Sequence, residues 1–481
     1  MEKQKRRKEI LLENIEIIDT ANKGKSIAKN DGRVIIVDGA VPGDNCNIIV
    51  YKKRKKLWQA RVAKINTFSK NRTTPKCEHF GTCGGCKWQN MNYDSQLEFK
   101  QKEVLNNISR IGKIKELNYK DIIGCDDIYN YRNKMEFTFS NKRWLTTEEI
   151  KSKASIENKD ALGFHVPGLF DKVININKCH LQKEPSNAIR ISVKKFSDKH
   201  NLTYFDIRNQ TGLLRNLMIR NSSNNEIMVM VQFYEDDIKK INSVMQHIKD
   251  NFSEVTSLLY VINKKANSTF YDQEVICFSG KDHITEKIDG LFFKIGPKSF
   301  FQTNSKQARI LYQKTKELAD LSRNDIVYDL YTGTGTIAQY IAKSVKKVIG
   351  IDSVEEGIVA AKENAKTNNI DNCYFYSGDM KDIFSEDFVN KNGFPDIIIS
   401  DPPRDGMHKN VVKQLLNIKA KRIVYVSCNS ATQARDIELL NTLYNVSHIQ
   451  AVDMFPQTHH VENIVVLELK KIDDSNLNLI I

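Results

Sequence analysis

No stretch of the 481-residue chain stays apolar long enough to span a membrane, and its opening, MEKQKRRKEI, is charged throughout. The LLENIEII that follows is too short and too acidic for the apolar core of a signal peptide. These absences point to a cytoplasmic protein. Cysteine is sparse: nine residues are too few for a disulfide scaffold in a chain this long. In a reducing compartment any cluster among them reads as a metal or catalytic site. There is no internal repeat of fixed period and no low-complexity segment.

What is present is basic charge, unevenly placed. Residues 1–74 hold 18 Lys and Arg against 8 Asp and Glu, so +10 of the net +14 sits in the first sixth of the chain. A concentrated basic surface attracts a polyanion, and with no membrane element nucleic acid leads. On charge alone a solvated lysine-rich surface explains the bias equally well.

The first unit, residues 1–70, shows short β-branched runs punctuated by Gly32, Gly39, Pro42 and Gly43, the pattern of a small antiparallel barrel. Its hairpin tip, KKRKK at 52–56, precedes Trp58. Cations beside an aromatic suit phosphates and a stacked base, but Trp58 by itself reads better as core. Residues 75–285 form a middle region with a cysteine cluster, one helix (YDSQLEFKQKEVLNNISRI) and strand-like runs in a mixed α+β pattern. From 286 to 481 strands and helices alternate, which predicts a parallel sheet covered on both faces, closed by an antiparallel strand at ENIVVLELK.

Three strand ends of that last region carry chemistry. DLYTGTGTI places Gly333 and Gly335 in a turn before a helix, without the third glycine of a pyrophosphate loop. About 20 residues on, the next strand ends in Asp352, where an acid accepts both hydroxyls of a ribose. A ribose-binding acid without a pyrophosphate loop suits S-adenosylmethionine (SAM) better than NAD. The strand PDIIIS ends in Asp401-Pro402-Pro403-Arg404, whose prolines hold Asp401 toward the ligand crevice. The following strand ends in Cys428, just before a helix whose N-terminal field lowers a thiol pKa, so Cys428 reads as a nucleophile. Glu462 opens the last strand, after His459 and His460; a carboxylate there is in reach of the same crevice as a general base, although taken in isolation it reads as an exposed loop acid.

Cys77, Cys83 and Cys86 lie within KCEHFGTCGGCKWQ and need a fourth ligand. Cys179 is the choice over Cys125, His79 and His180. Four thiolates suit an iron-sulfur cluster or zinc, and spacing alone does not decide.

Together CEHFGTCGGCKWQ, YRNKMEFTF, PKSFFQTN, DLYTGTGTI, SDPPRDG, VSCNSATQARD and FPQTHHVE resemble, in order and over nearly the whole chain, the RNA uracil-5-methyltransferases. The resemblance implies an OB-like TRAM module that binds RNA, a central domain holding a 4Fe-4S cluster on Cys77, Cys83, Cys86 and Cys179, and a class I SAM-dependent methyltransferase domain with a Rossmann-like α/β fold. It implies SAM binding by Gln302, Tyr331, Gly333, Asp352 and Asp401, with Cys428 as nucleophile and Glu462 as base. The helix near 94–112 would pack on the catalytic domain. Many relatives carry Glu where this chain has Asp352, and Asn where it has Thr336, so no contact is assigned to Thr336. The expected reaction is methylation of carbon 5 of an RNA uridine, with 23S ribosomal RNA favoured over transfer RNA, by a monomer. The alternatives are amino methylation of an RNA purine, which needs no cysteine, and a non-catalytic RNA-binding iron-sulfur protein.

Overall fold

The computed structural model describes residues 9–152 and 159–471. The basic start MEKQKRRK lies outside the described residues. Five strands close into a barrel in the order Ile10–Ala21, Lys25–Asn30, Arg33–Asp38, Leu57–Thr67, Asn45–Arg54. The all-antiparallel expectation fails at one pair, because Arg33–Asp38 runs parallel to Leu57–Thr67. The chain crosses the barrel end after Asp38 so that Asn45–Arg54 pairs with Ile10–Ala21, and the hairpin back then fills the remaining gap. The first strand grows from LLENIEII, whose alternation buries Ile15 and Ile17. Trp58 is half-buried against the barrel core, with Arg33 and Lys53 over its ring at 4.9 and 5.0 Å. The ring is therefore both packed and flanked by cations.

The central sheet has seven strands in the order Val275–Gly280, Val255–Ile262, Ile227–Phe233, Leu214–Asn221, Lys134–Ser140, Ala161–His165, Val173–Asn175. The last sheet has eight, in the order Cys373–Ser377, Lys347–Asp352, Ile326–Leu330, Ile397–Ser400, Arg422–Ser427, Glu462–Leu469, Tyr444–Val452, Tyr119–Ile123. Its middle strands are apolar on both faces, as a sheet covered twice requires. Glu462–Leu469 is antiparallel to both neighbours.

Tyr119–Ile123 lies in the middle region of the sequence yet pairs with Tyr444–Val452 at the edge of this sheet. The helix Tyr93–Arg110, which precedes this strand in the chain, packs on the same sheet's core. Asn92 caps its N-terminus by accepting from the Ser95 N–H, and Val104 and Ile108 enter the core beneath the sheet. Asn107 Nδ2 donates to Ser430 Oγ at 2.8 Å. A division at 285/286 falls inside the strand Ile284–Ile288, and one apolar cluster runs from Met218 and Met230 of the central sheet to Val424 and Val426 of the last. No helix among the described residues is long and apolar enough to cross a membrane.

Candidate active site

The glycine turn leaves the strand Ile326–Leu330 through Tyr331, held at φ 66°, a conformation costly for a residue with a side chain. Gly333 and Gly335 also have positive φ, for different reasons. A Cβ on Gly335 would come within 2.9 Å of Ala361 and Phe375, so that glycine serves close packing. A Cβ on Gly333 would meet nothing within 4 Å. Asp352 accepts from the N–H of Gly333 (2.8 Å) and of Val354 (2.9 Å), one bond per oxygen. Its carboxylate thus fixes the turn, and each oxygen keeps a lone pair for a ligand hydroxyl.

Strand register brings the reactive groups together. Ser400 pairs with both Leu330 and Tyr425, which sets Asp401 beside Tyr331 at the carboxyl edge. Ser427 pairs with Asn463 in an antiparallel ladder, so the next residues outward, Cys428 and Glu462, face each other. Glu462 is only 3% exposed. Burial, then the charge of Asp401, pushes its carboxyl well above the usual range, while Arg404 opposes. Burial and the buried Asp329 raise the Asp401 carboxyl to about 7.

The Cys428 thiol departs from expectation. Burial first, then the charges of Glu462 and Asp401, pushes it up to about 11, with Arg404 pulling the other way. The field of the helix Ser430–Leu440 does not prevail, because burial and two carboxylates act together and Arg404 is the cation that opposes them. The loop bearing Arg404 is clamped to that helix. Asn429 Nδ2 and Thr432 Oγ1 donate to the Arg404 carbonyl at 2.9 and 3.0 Å, and a Cβ on Gly406 would strike Arg435 and Asp436 at 2.7 Å.

The loop that leads into Glu462 is fastened from the other side. Asp453 accepts from Lys100 Nζ (2.7 Å), Tyr93 Oη (2.9 Å) and the Phe455 N–H (2.9 Å), and neither charged side chain of the Lys100–Asp453 pair is exposed. Gln96 and Gln457 exchange hydrogen bonds at 3.1 and 2.8 Å, and Tyr131 Oη donates to the Pro456 carbonyl at 2.9 Å. His459 and His460 lie 4.1 Å apart between centroids with their rings tilted by 37°, and burial drives their pKa values down to about 4 and about 3. Both are neutral at physiological pH.

Gln302 is buried on the loop before the helix Ser305–Ala319. Asn133 Nδ2 donates to its carbonyl at 3.0 Å. Its side chain makes no hydrogen bond to Cys428 or Asp401 among the described residues. Two residues escaped the sequence reading. Asp329 is 1% exposed, its Oδ1 lacks a partner, and burial lifts its pKa to about 7. Tyr312, 5% exposed, has its hydroxyl pushed upward by burial and by Asp401, Asp329 and Glu462. Asp329 opens the DLYTGTGTI motif, which could have pointed to it, whereas Tyr312 lies in the helix Ser305–Ala319, where no local signal marks it.

The cysteines separate into two groups. Cys83 feels Cys179 and Cys77, Cys86 feels Cys179, Cys83 and Cys77, and burial raises the first to about 11 and the second to about 12. Cys179 feels Cys77 in turn. Cys125 stands apart. Its sulfur accepts from Asn304 Nδ2 at 3.6 Å, and its N–H donates to Tyr93 Oη at 2.7 Å. His79 Nε2 accepts from the Asn177 N–H at 2.9 Å and so is already engaged. Among the described residues, no three His, Cys, Asp or Glu side chains close around a single-ion position.

The strand order, the antiparallel Glu462–Leu469 and the glycine turn with Asp352 define a class I SAM-dependent methyltransferase fold. A family described as tRNA (uracil-5-)-methyltransferase matches residues 221–470. An uncharacterized RNA methyltransferase of Bacteroides thetaiotaomicron is 50% identical over 94% of this chain and 100% of its own. Another, from Porphyromonas gingivalis, is 47% identical over 94% of this chain and 99% of its own. The solved tRNA (uracil-54, C5)-methyltransferase of Pyrococcus abyssi, in complex with S-adenosyl-L-homocysteine, is 29% identical with a TM-score of 0.72, covering 94% of this chain and 100% of that one. The chain belongs to the tRNA (uracil-5-)-methyltransferase family, and its class is that of SAM-dependent RNA methyltransferases.

Proposed function

We propose that this protein methylates carbon 5 of a uridine in RNA through a covalent adduct with Cys428. The observation that carries this reading is the register that sets Cys428 opposite Glu462, with Asp401 on the adjacent strand end. Carbon 5 of uracil is a weak nucleophile. The Cys428 thiol gives up its proton to solvent and the resulting thiolate adds to carbon 6, forming a C–S bond and moving the ring electrons toward carbon 5 and the carbonyl at carbon 4. SAM, held by Asp352 and the backbone of the Tyr331–Gly333 turn, with Gln302 and Asp401 beside it, supplies an electrophilic methyl when bound. Glu462, buried opposite Cys428, takes the proton from carbon 5. The electrons left there reform the ring double bond and expel the Cys428 sulfur. Any proton taken up by Glu462 or Asp401 removes a charge that holds the thiol up.

A base inside a stacked helix cannot reach Cys428, so the target is unpaired or flipped. Large-subunit ribosomal RNA is our first choice, on the resemblance of the barrel and four-cysteine set to that branch. The Pyrococcus relative's substrate favours transfer RNA as the second. The barrel is read as a TRAM module, the cysteine-bearing sheet as a central domain and the last sheet as the catalytic domain. We assign Cys77, Cys83, Cys86 and Cys179 to a 4Fe-4S cluster on the resemblance and on their grouping, since these half-buried sulfurs each feel others of the set while Cys125 does not join them. Such a cluster would supply structural support here, and no step of the reaction runs through it.

The test is Cys428→Ala. Methyl transfer from labelled SAM to RNA from a strain lacking the protein is expected to vanish while SAM binding persists. Retained transfer would refute the covalent route and favour amino methylation, and a wild-type protein that fails to bind SAM would favour the non-catalytic alternative. Mapping 5-methyluridine in that strain's RNA separates ribosomal from transfer RNA.

A further inference from the structure

Apart from the catalytic residues lies a cavity of about 440 Å³ beside Cys179, within the size range of small-ligand sites. Lys76, Lys178 and Lys183 line it, and none is held in an ion pair among the described residues. The acid in its wall, Glu184, is engaged at the start of the helix Ser186–Lys199, where its carboxylate accepts from the N–H groups of Asn187 (3.1 Å) and Ala188 (3.3 Å) and from Asn187 Nδ2 (2.9 Å). Three lysines against this one acid leave the lining cationic. An aromatic pair flanks it, with His180 edge-on to Tyr129 at 6.2 Å between centroids and Lys76 Nζ 4.8 Å from the Tyr129 ring.

The cavity is tied to the reaction cleft by one short strap. Asn130 N–H donates to the His180 carbonyl at 2.9 Å in the cavity wall. One residue on, Tyr131 holds the Pro456 carbonyl, and Arg132 lies close enough to His460 to depress its pKa. Three residues of extended chain reach at most about 11 Å, so cavity and cleft are within a few nucleotides of each other.

We propose that this cavity is a second RNA subsite, taking a nucleotide that flanks the target, its phosphate on the three lysines and its base against Tyr129 and His180. The proposal rests on the reading of the protein as an RNA methyltransferase and gives the four-cysteine region a recognition role: the loops that bear Cys77 and Cys179 also present Lys76 and Lys178.

The experiment uses anaerobically purified full-length protein and a fluorescein-labelled, uridine-rich single-stranded RNA, with methyl transfer measured in parallel on RNA from the deletion strain. The triple variant Lys76→Ala, Lys178→Ala, Lys183→Ala should lower the slope of log affinity against log salt by about 0.7, the share of one phosphate on a single strand. Between about 50 and 200 mM salt, its affinity should therefore fall about 2.6-fold less than that of the wild type. KM for RNA should rise, with kcat at saturating RNA and the SAM dissociation constant unchanged. Tyr129→Ala should raise KM about tenfold, and Tyr129→Phe should restore it. An unchanged salt slope with methylation intact would overturn the subsite and leave the uridine reading standing. Lysine-dependent RNA binding without any uridine methylation would overturn that reading and leave the subsite.

Discussion

The Cys428 thiol offers the sharpest quantitative test, because the site raises its pKa where a nucleophile is expected to have it lowered. A thiol at about 11 is ionised to about 3 parts in 10,000 at pH 7.5, against about one in ten for an unperturbed cysteine near 8.5. The deficit in thiolate is about 300-fold. A more basic thiolate is a better nucleophile, and with a Brønsted slope of about 0.45 this returns roughly tenfold. Cys428 in the ligand-free protein should therefore react with an aromatic disulfide about 30-fold more slowly than a free cysteine at pH 7.5, before any steric hindrance. The assay is the pH dependence of that reaction, followed by mass mapping of the Cys428 peptide so that the exposed Cys277 does not confuse it. The midpoint should lie near 11, and Glu462→Gln should bring it down by removing the second-largest cause of the shift. A wild-type midpoint at or below about 8.5, or a Glu462→Gln midpoint that does not fall, would refute this account of the site.

Further outcomes follow from the same contacts. Lys100→Met leaves the buried Asp453 carboxylate without its cation and should cost about 3–5 kcal/mol in urea unfolding; replacing both partners with apolar residues should cost less than the two single changes together. Asp401 is raised to about 7 in the folded protein, so it favours folding while protonated, and that contribution disappears as pH rises from about 4 through about 7. Asp401→Asn should accordingly reduce the stability lost between about pH 5 and pH 8 by about 3 kcal/mol, measured as the shift in denaturant midpoint. Cys179→Ser should abolish the visible absorbance and iron content of anaerobically purified protein, whereas Cys125→Ser should keep both. A colourless wild type with stoichiometric zinc would sink the iron assignment.

Much of the site was legible because each chemical group stands where one strand ends and a helix begins. Asp352, Asp401 and Cys428 are last or next after last in apolar runs, and in a parallel sheet all such ends share one edge. The barrel's strands were legible in the same way, from β-branched runs between glycines. Its parallel pair was not, because pairing depends on where the chain crosses the barrel end. The domain reading by linear position missed that Tyr119–Ile123 joins the last sheet, since a five-residue strand carries no mark of its partner.

By itself, the sequence determined which groups are present and which strand ends carry them: a thiol, two carboxylates and a glycine turn on one sheet edge, and four cysteines elsewhere. Tertiary structure decided how those groups behave. Burial and like charge, which no local motif encodes, lift Cys428 to about 11 and Asp401 to about 7. The pairing of Ser427 with Asn463 turns Glu462, an acid that reads as an exposed loop residue, into a buried neighbour of the thiol. Asp329 and Tyr312 join the site only because packing brings distant elements into one low-dielectric volume, where each charge reaches the others.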